Sequence, residues 1–193
     1  GQDGLVHIEL IGEDSRVINT LLLEYPRYVG REIIIDPQIS FDIPGVAETA
    51  RLLIFVTDSA QRTIALTSVD VILLSIGEKM IYPPKDLREA YLIREPHEGD
   101  IIQGGTLFVS GLIRPVNQNP VIIELIDEQG NILASNQLQI PEPTGDISHN
   151  PFEVEMQYTV STPTSARLTI RQESDGRIPG TVALGSVLVV LNP

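Results

Sequence analysis

Apolar and polar residues alternate with a period of two along much of this chain. The clearest run is Phe152-Glu153-Val154-Glu155-Met156-Gln157-Tyr158. That pattern predicts a strand with four side chains in a core and three in water. Ala166, Leu168 and Ile170 repeat it against Arg167, Thr169 and Arg171. Near the start, Val6, Ile8 and Leu10 alternate with Leu5, His7 and Glu9, and Leu21, Leu23 and Tyr25 follow. Ile39, Phe41 and Ile43 alternate with Ser40 and Asp42, which predicts another strand. Leu52 to Val56, Val121 to Ile126 and Val187 to Leu191 are apolar on both faces and read as central strands. Helical periodicity is weak, and only Asp86 to Tyr91, after Pro83-Pro84, suggests a turn or two of helix.

Gly, Pro, Asn and Asp break these runs about every 8–12 residues, the rhythm of a β-sandwich. Asp127-Glu128-Gln129-Gly130-Asn131 reads as a hairpin loop in which Gly130 supplies a positive φ. An earlier loop, Asp58-Ser59-Ala60-Gln61-Arg62, keeps the Asp but lacks the glycine, which leaves its turn type open. An offset of 69 residues relates the two loops and carries Gly30–Val71 onto Gly99–Ile140. Gly30 then falls on Gly99, Ile33 on Ile102, Ile39 on Phe108, Val56 on Leu125 and Ala65 on Ala134. One unit used twice predicts two packed or tethered domains rather than a solenoid. The expected division is a first sandwich at 1–80, a connector at 81–92 stiffened by Pro83-Pro84, and a second sandwich at 93–193. Pro141 to Pro151 reads as a surface loop, and Ser174-Asp175-Gly176 as a further turn.

The formal net charge is −13, from 26 acidic and 13 basic residues. The basic residues are 11 Arg with Lys79 and Lys85, and they form no cluster, so a nucleic-acid partner is disfavoured. Cysteine is absent, which excludes a disulfide, a thiolate metal site and a Cys nucleophile. No apolar run approaches the roughly 18 residues that span a bilayer. If the protein is exported, its targeting segment is expected outside these residues.

Candidate chemistry is sparse. His7, His97 and His149 are far apart in sequence and lack metal-ligand spacing, so the expectation is solvated side chains. Glu142, Asp146, Glu153 and Glu155 offer oxygen ligands for calcium, but no calcium loop occurs and the two glutamates read as the wet side of a strand. No Gly-x-Ser-x-Gly elbow places a nucleophile. Sugar recognition uses aromatic platforms, and the chain has no Trp. Phe41, Phe55, Phe152 and Tyr158 are expected in cores, whereas Tyr25, Tyr28, Tyr82 and Tyr91 lie near strand ends or the connector. Pro163 and Pro179 beside strands read as protection of sheet edges against unwanted pairing.

From about Tyr91 onward the order of motifs resembles a known family. Pro96-x-x-Gly99-x-x-Ile102, Leu107 to Gly111, and Val121 to Gly130 come first. Phe152-x-Val154, Leu168 to Gly176 and the closing run Pro179 to Val190 follow. Together they resemble the bacterial immunoglobulin-like module named for spore-germination proteins. The resemblance implies a sandwich of about seven strands, exported and held at the cell envelope, that mediates interactions. It transfers no functional residues. The expectation is an all-β protein of two tandem immunoglobulin-like β-sandwiches, without catalytic, cofactor or metal sites. It would act as a non-catalytic extracellular or envelope module, as a lipoprotein for example, with a protein or cell-wall component as partner. A glycan-binding module, or an accessory region of a larger exported enzyme, is the alternative.

Overall fold

The computed structural model describes residues 4–25, 34–80, 88–145 and 147–193. Twelve β-strands and no helix occur among them, so the protein is all-β as its alternation predicts. The chain divides into two compact units, Gly1–Lys85 with Gly176–Val182 and Asp86–Asp175 with Ala183–Pro193. The stretch Gly176–Val182, which follows the sequence run of the second domain, groups with the first unit. Pro83, Pro84 and Asp86 of the expected connector lie outside the described residues, as does the Gly30-x-x-Ile33 turn. Tyr91, the end of the candidate helical turn, opens a strand instead.

The first unit is built on four antiparallel strands: β1 (Leu5–Gly12), β2 (Val17–Glu24), β3 (Ala47–Thr57) and β4 (Thr63–Leu74), in the order β2-β1-β3-β4. Central placement of β3 explains why its sequence is apolar on both faces. One face gathers a small core of Leu10, Ala50 and Leu73 with Ile43. On the other face the buried Arg51 is held by Asp70, at 2.7 and 3.1 Å, and donates to the Ile178 carbonyl at 2.7 Å. Ser68 Oγ donates to the Val182 carbonyl at 2.9 Å, which fixes the other end of Gly176–Val182. The alternating stretch from Ile39 to Ile43 carries no strand. Proline stands on either side of it, at 37 and 44, and withholds two ladder donors. Ile39 and Ile43 still pack on the small core, while Phe41 is 42 % exposed rather than buried.

The second unit is a β-sandwich. Its strands are β5 (Tyr91–Glu95), β6 (Ile101–Ile102), β7 (Thr106–Ile113), β8 (Val121–Asp127), β9 (Ile132–Leu138), β10 (Asn150–Gln157), β11 (Thr164–Glu173) and β12 (Thr181–Leu191). One sheet is β10-β7-β5, and the other runs β12-β11-β8-β9 with the short β6 parallel to β12. The Glu95–Pro96 peptide, between β5 and β6, is cis. Sixteen buried side chains form one core, among them Leu107, Val109, Ile123, Leu168, Ile170 and Leu191. Each large side chain buried there contributes about 1.5–3 kcal/mol. The β10 alternation holds, with Phe152, Met156 and Tyr158 buried and Glu153, Glu155 and Gln157 exposed.

The hairpins β3–β4 and β8–β9 are equivalent residue by residue at the offset of 69. Leu52 pairs with Val69 as Val121 pairs with Leu138, and both ladders slip at the residue before the loop. The Asp58 amide donates to the Arg62 carbonyl at 2.9 Å, and the Asp127 amide to the Asn131 carbonyl at 3.0 Å. The turn types therefore agree despite the missing glycine, because Gln61 itself takes a φ of 61° where Gly130 has 84°. The equivalence does not reach back to Ile39 and Phe108, since β7 has no strand counterpart near Ile39.

Candidate functional site

Three strands carry the most distinctive surface of the second unit. Register places Leu92, Leu112 and Pro151 in one cross-strand row, Glu95, Ser110 and Glu153 in the next, then Phe108 with Glu155, and finally Thr106 with Gln157. The alternate positions, Leu107, Val109, Gly111 and Ile113, point into the core. The rows above therefore form the outer face of the β10-β7-β5 sheet. Phe108 is 42 % exposed and Leu92 47 % exposed on it. Neighbouring strands lie about 4.8 Å apart, so the Glu95 and Glu153 backbones are about 10 Å apart across Ser110. Phe108 thus stands opposite Glu155 and one row from Glu95 and Glu153. The side chains of Glu95, Glu153 and Glu155 make no hydrogen bond or ion pair among the described residues.

Beside this face the chain crosses from β5 to β6 and leaves an open groove of about 370 Å³. Glu95, His97, Asp100, Gln103, Thr106 and Phe108 supply its polar and aromatic lining. The turn that walls it is firmly tied. The His97 amide donates to Asp100 Oδ2 at 2.7 Å, and the His97 ring lies 3.6 Å from the same oxygen. Gly99 N donates to Leu188 O, Val190 N to Asp100 O, and Leu188 N to Glu98 Oε2, all at 2.8–2.9 Å. Thr106 Oγ1 donates to Gln157 Oε1 at 3.1 Å, linking the groove to the far edge of the sheet. Gly111 permits the close packing beneath the face, for a Cβ there would collide with the Leu92 carbonyl and the Phe152 ring.

A buried polar clasp holds the end of the sandwich where β11 ends. Gln172, with no exposed surface, accepts at Oε1 from Tyr91 OH (3.1 Å) and Val116 N (2.9 Å). Its amide nitrogen donates to Asn119 O at 2.6 Å, and Asn117 and Asn119 in turn donate to Glu173 O. Burial raises the Tyr91 phenol well above its ordinary value, against the opposing charge of Arg114, so it serves here as a neutral donor. Tyr91 is thus a core residue.

The remaining sequence candidates have structural roles or lie apart from this face. His7 is half-buried rather than freely solvated: it stacks on Phe55 with ring centroids 4.9 Å apart, and its Nε2 is buried without a hydrogen-bond partner. His149 is bracketed by Ser148 Oγ at 2.8 Å and the Glu89 carbonyl at 2.7 Å. Glu142 is exposed, and Asp146, Tyr28 and Tyr82 lie outside the described residues. Among the described residues no group of three or more His, Asp or Glu side chains is placed to hold a metal ion. No helix there is long and apolar enough to cross a membrane. Phe108 was not a sequence candidate, yet a signal was present. Its strand alternates in step with Phe152–Tyr158, which puts Phe108 on the same side as the glutamates once the two pair.

No protein-family model matches the chain, and no curated protein matches it.

Proposed function

We propose that the protein is a non-catalytic structural and protein-interaction module of the extracellular space or cell envelope. The observation that carries this reading is the outer face of the β10-β7-β5 sheet. It exposes Phe108 and Leu92 on a rigid sandwich and surrounds the aromatic ring with glutamates that have no partner among the described residues. Exposed apolar groups on a well-packed frame are what a partner buries. The net charge of −13 favours solubility and disfavours polyanions, and the lack of cysteine frees folding from any need for oxidation. The resemblance of residues 91–193 to a bacterial immunoglobulin-like module supports an envelope location.

A photo-activated cross-linker placed at position 108, in cells that produce the protein, tests the reading. A discrete adduct at 108 and none at Ile132, exposed on β9 of the other sheet, is expected. Adducts at 132 alone, or at neither position, would contradict it. The groove beside Phe108 favours a second reading, since an aromatic ring among carboxylates and amides also suits a sugar. Saturable binding to a neutral glycan would select that reading.

A further inference from the structure

We infer that the outer face of the β10-β7-β5 sheet, with its adjoining groove, docks an extended segment of a partner protein that carries arginine or lysine between apolar residues. The inference rests on the interaction reading and adds the chemistry of the partner.

Charge makes the first argument. Glu95, Glu153 and Glu155 surround Phe108, and Asp100 stands in the groove wall. Against them the face carries one cationic side chain on β5, Arg94, at the bulge where the β5 ladder slips. The whole chain has the same sign, at −13. An anionic partner would be repelled at long range, and a cationic one drawn in. The second argument is the aromatic ring. An exposed phenyl flanked by carboxylates attracts a guanidinium or ammonium through its π face while the carboxylates neutralise the charge. Neither group alone selects a cation as well as the pair does.

The third argument is spacing. Glu153 and Glu155 stand two residues apart on one strand, as do Phe108 and Ser110, so each pair repeats at about 7 Å. An extended peptide presents every second side chain at that same repeat. Cationic residues would meet the glutamates and Phe108, and apolar ones would cover Leu92 and Leu112 or enter the groove. At about 370 Å³ the groove lies at the small end of ligand sites, fit for a few side chains rather than a large cofactor.

The test is fluorescence anisotropy on the full chain with a short labelled peptide in which arginine alternates with leucine. A matched peptide with glutamate for arginine is the control. Saturable binding of the arginine peptide is expected, with affinity falling as salt is raised from about 50 to about 500 mM. Glu153 and Glu155 are exposed, so the E153Q/E155Q variant should fold normally and weaken binding about three- to tenfold, the range for two exposed ion pairs. F108S should weaken it severalfold, and I132S should leave it unchanged. Equal affinity of E153Q/E155Q and the unaltered chain, equal binding of the glutamate peptide, or no saturable binding of the arginine peptide would overturn the inference. If the arginine peptide fails while the cross-linker at 108 still captures a partner, cationic recognition falls and the interaction reading stands.

Discussion

Gln172 illustrates how much one side chain decides in this sandwich. It is wholly buried, and Tyr91, Val116, Asn117 and Asn119 all depend on it for hydrogen bonds. Replacing it with leucine keeps the volume but takes the acceptor from the buried Tyr91 phenol and from the Val116 amide. We expect Q172L to destabilise the fold by about 3 kcal/mol, read by urea denaturation, while Y91F costs about 1 kcal/mol because Val116 keeps its acceptor. The partners were not legible in the sequence. Gln172 continues the inward phase of Ala166, Leu168 and Ile170, but the groups it binds sit in a loop more than 50 residues away. His7 misled for the same reason: its place on the polar side of β1 is real, but Phe55, directly opposite on β3, covers it.

At the scale of elements, the two matched hairpins give paired expectations. Gln61 occupies the left-handed region that glycine occupies in the other loop, and a side chain there costs about 1 kcal/mol. Q61G should therefore stabilise the protein by about 0.5–1 kcal/mol in thermal or urea unfolding, and G130A should destabilise it by a similar amount. Each loop is also clasped by its aspartate. Burial pushes the Asp58 carboxyl up, but the Arg62 amide and guanidinium and the Ala60 amide outweigh it, and its pKa falls below the ordinary value. At Asp127 the Asn131 side chain is the main cause of the lowering, helped by the Asn131 and Gln129 amides and opposed by burial.

A carboxyl with a lowered native pKa contributes stability that is complete above the ordinary carboxylate range, near pH 4, and is lost as pH falls through the native value. The chain should lose stability on acidification below about pH 4, and D58N/D127N should flatten that loss. Denaturation curves at pH 7 and pH 3 check both. The hairpins were readable in the sequence because apolar runs, a turn Asp in both loops and Asp-x-x-Gly in the second are local signals. The expected strand at Ile39–Ile43 failed because alternation reports which side chains are buried, not whether proline leaves the backbone donors to pair.

At the scale of the molecule, the pattern of residues pointed to the class early: alternating runs and frequent turn residues read directly as all-β. The division of the chain was harder to see. Gly176–Val182 groups with the first unit because Arg51 and Ser68, more than 100 residues earlier, bind its carbonyls, and no local pattern announces such a bond. The candidate surface had the same fate. Glu153 and Glu155 were visible as the wet side of a strand, but Phe108 joins them only through the register of β7 and β10. A surface assembled from three strands is written in the pairing, and pairing is the part of a β-protein that a single sequence carries least openly.

Amide chemical-shift mapping of the isotope-labelled chain, titrated with the arginine–leucine peptide, tests that surface most directly. The account predicts saturable shifts concentrated in Leu92–Glu95, Thr106–Leu112 and Pro151–Gln157, with β8, β9 and β11 unmoved. Shifts centred on β8 and β9, or spread evenly over both sheets, would contradict it.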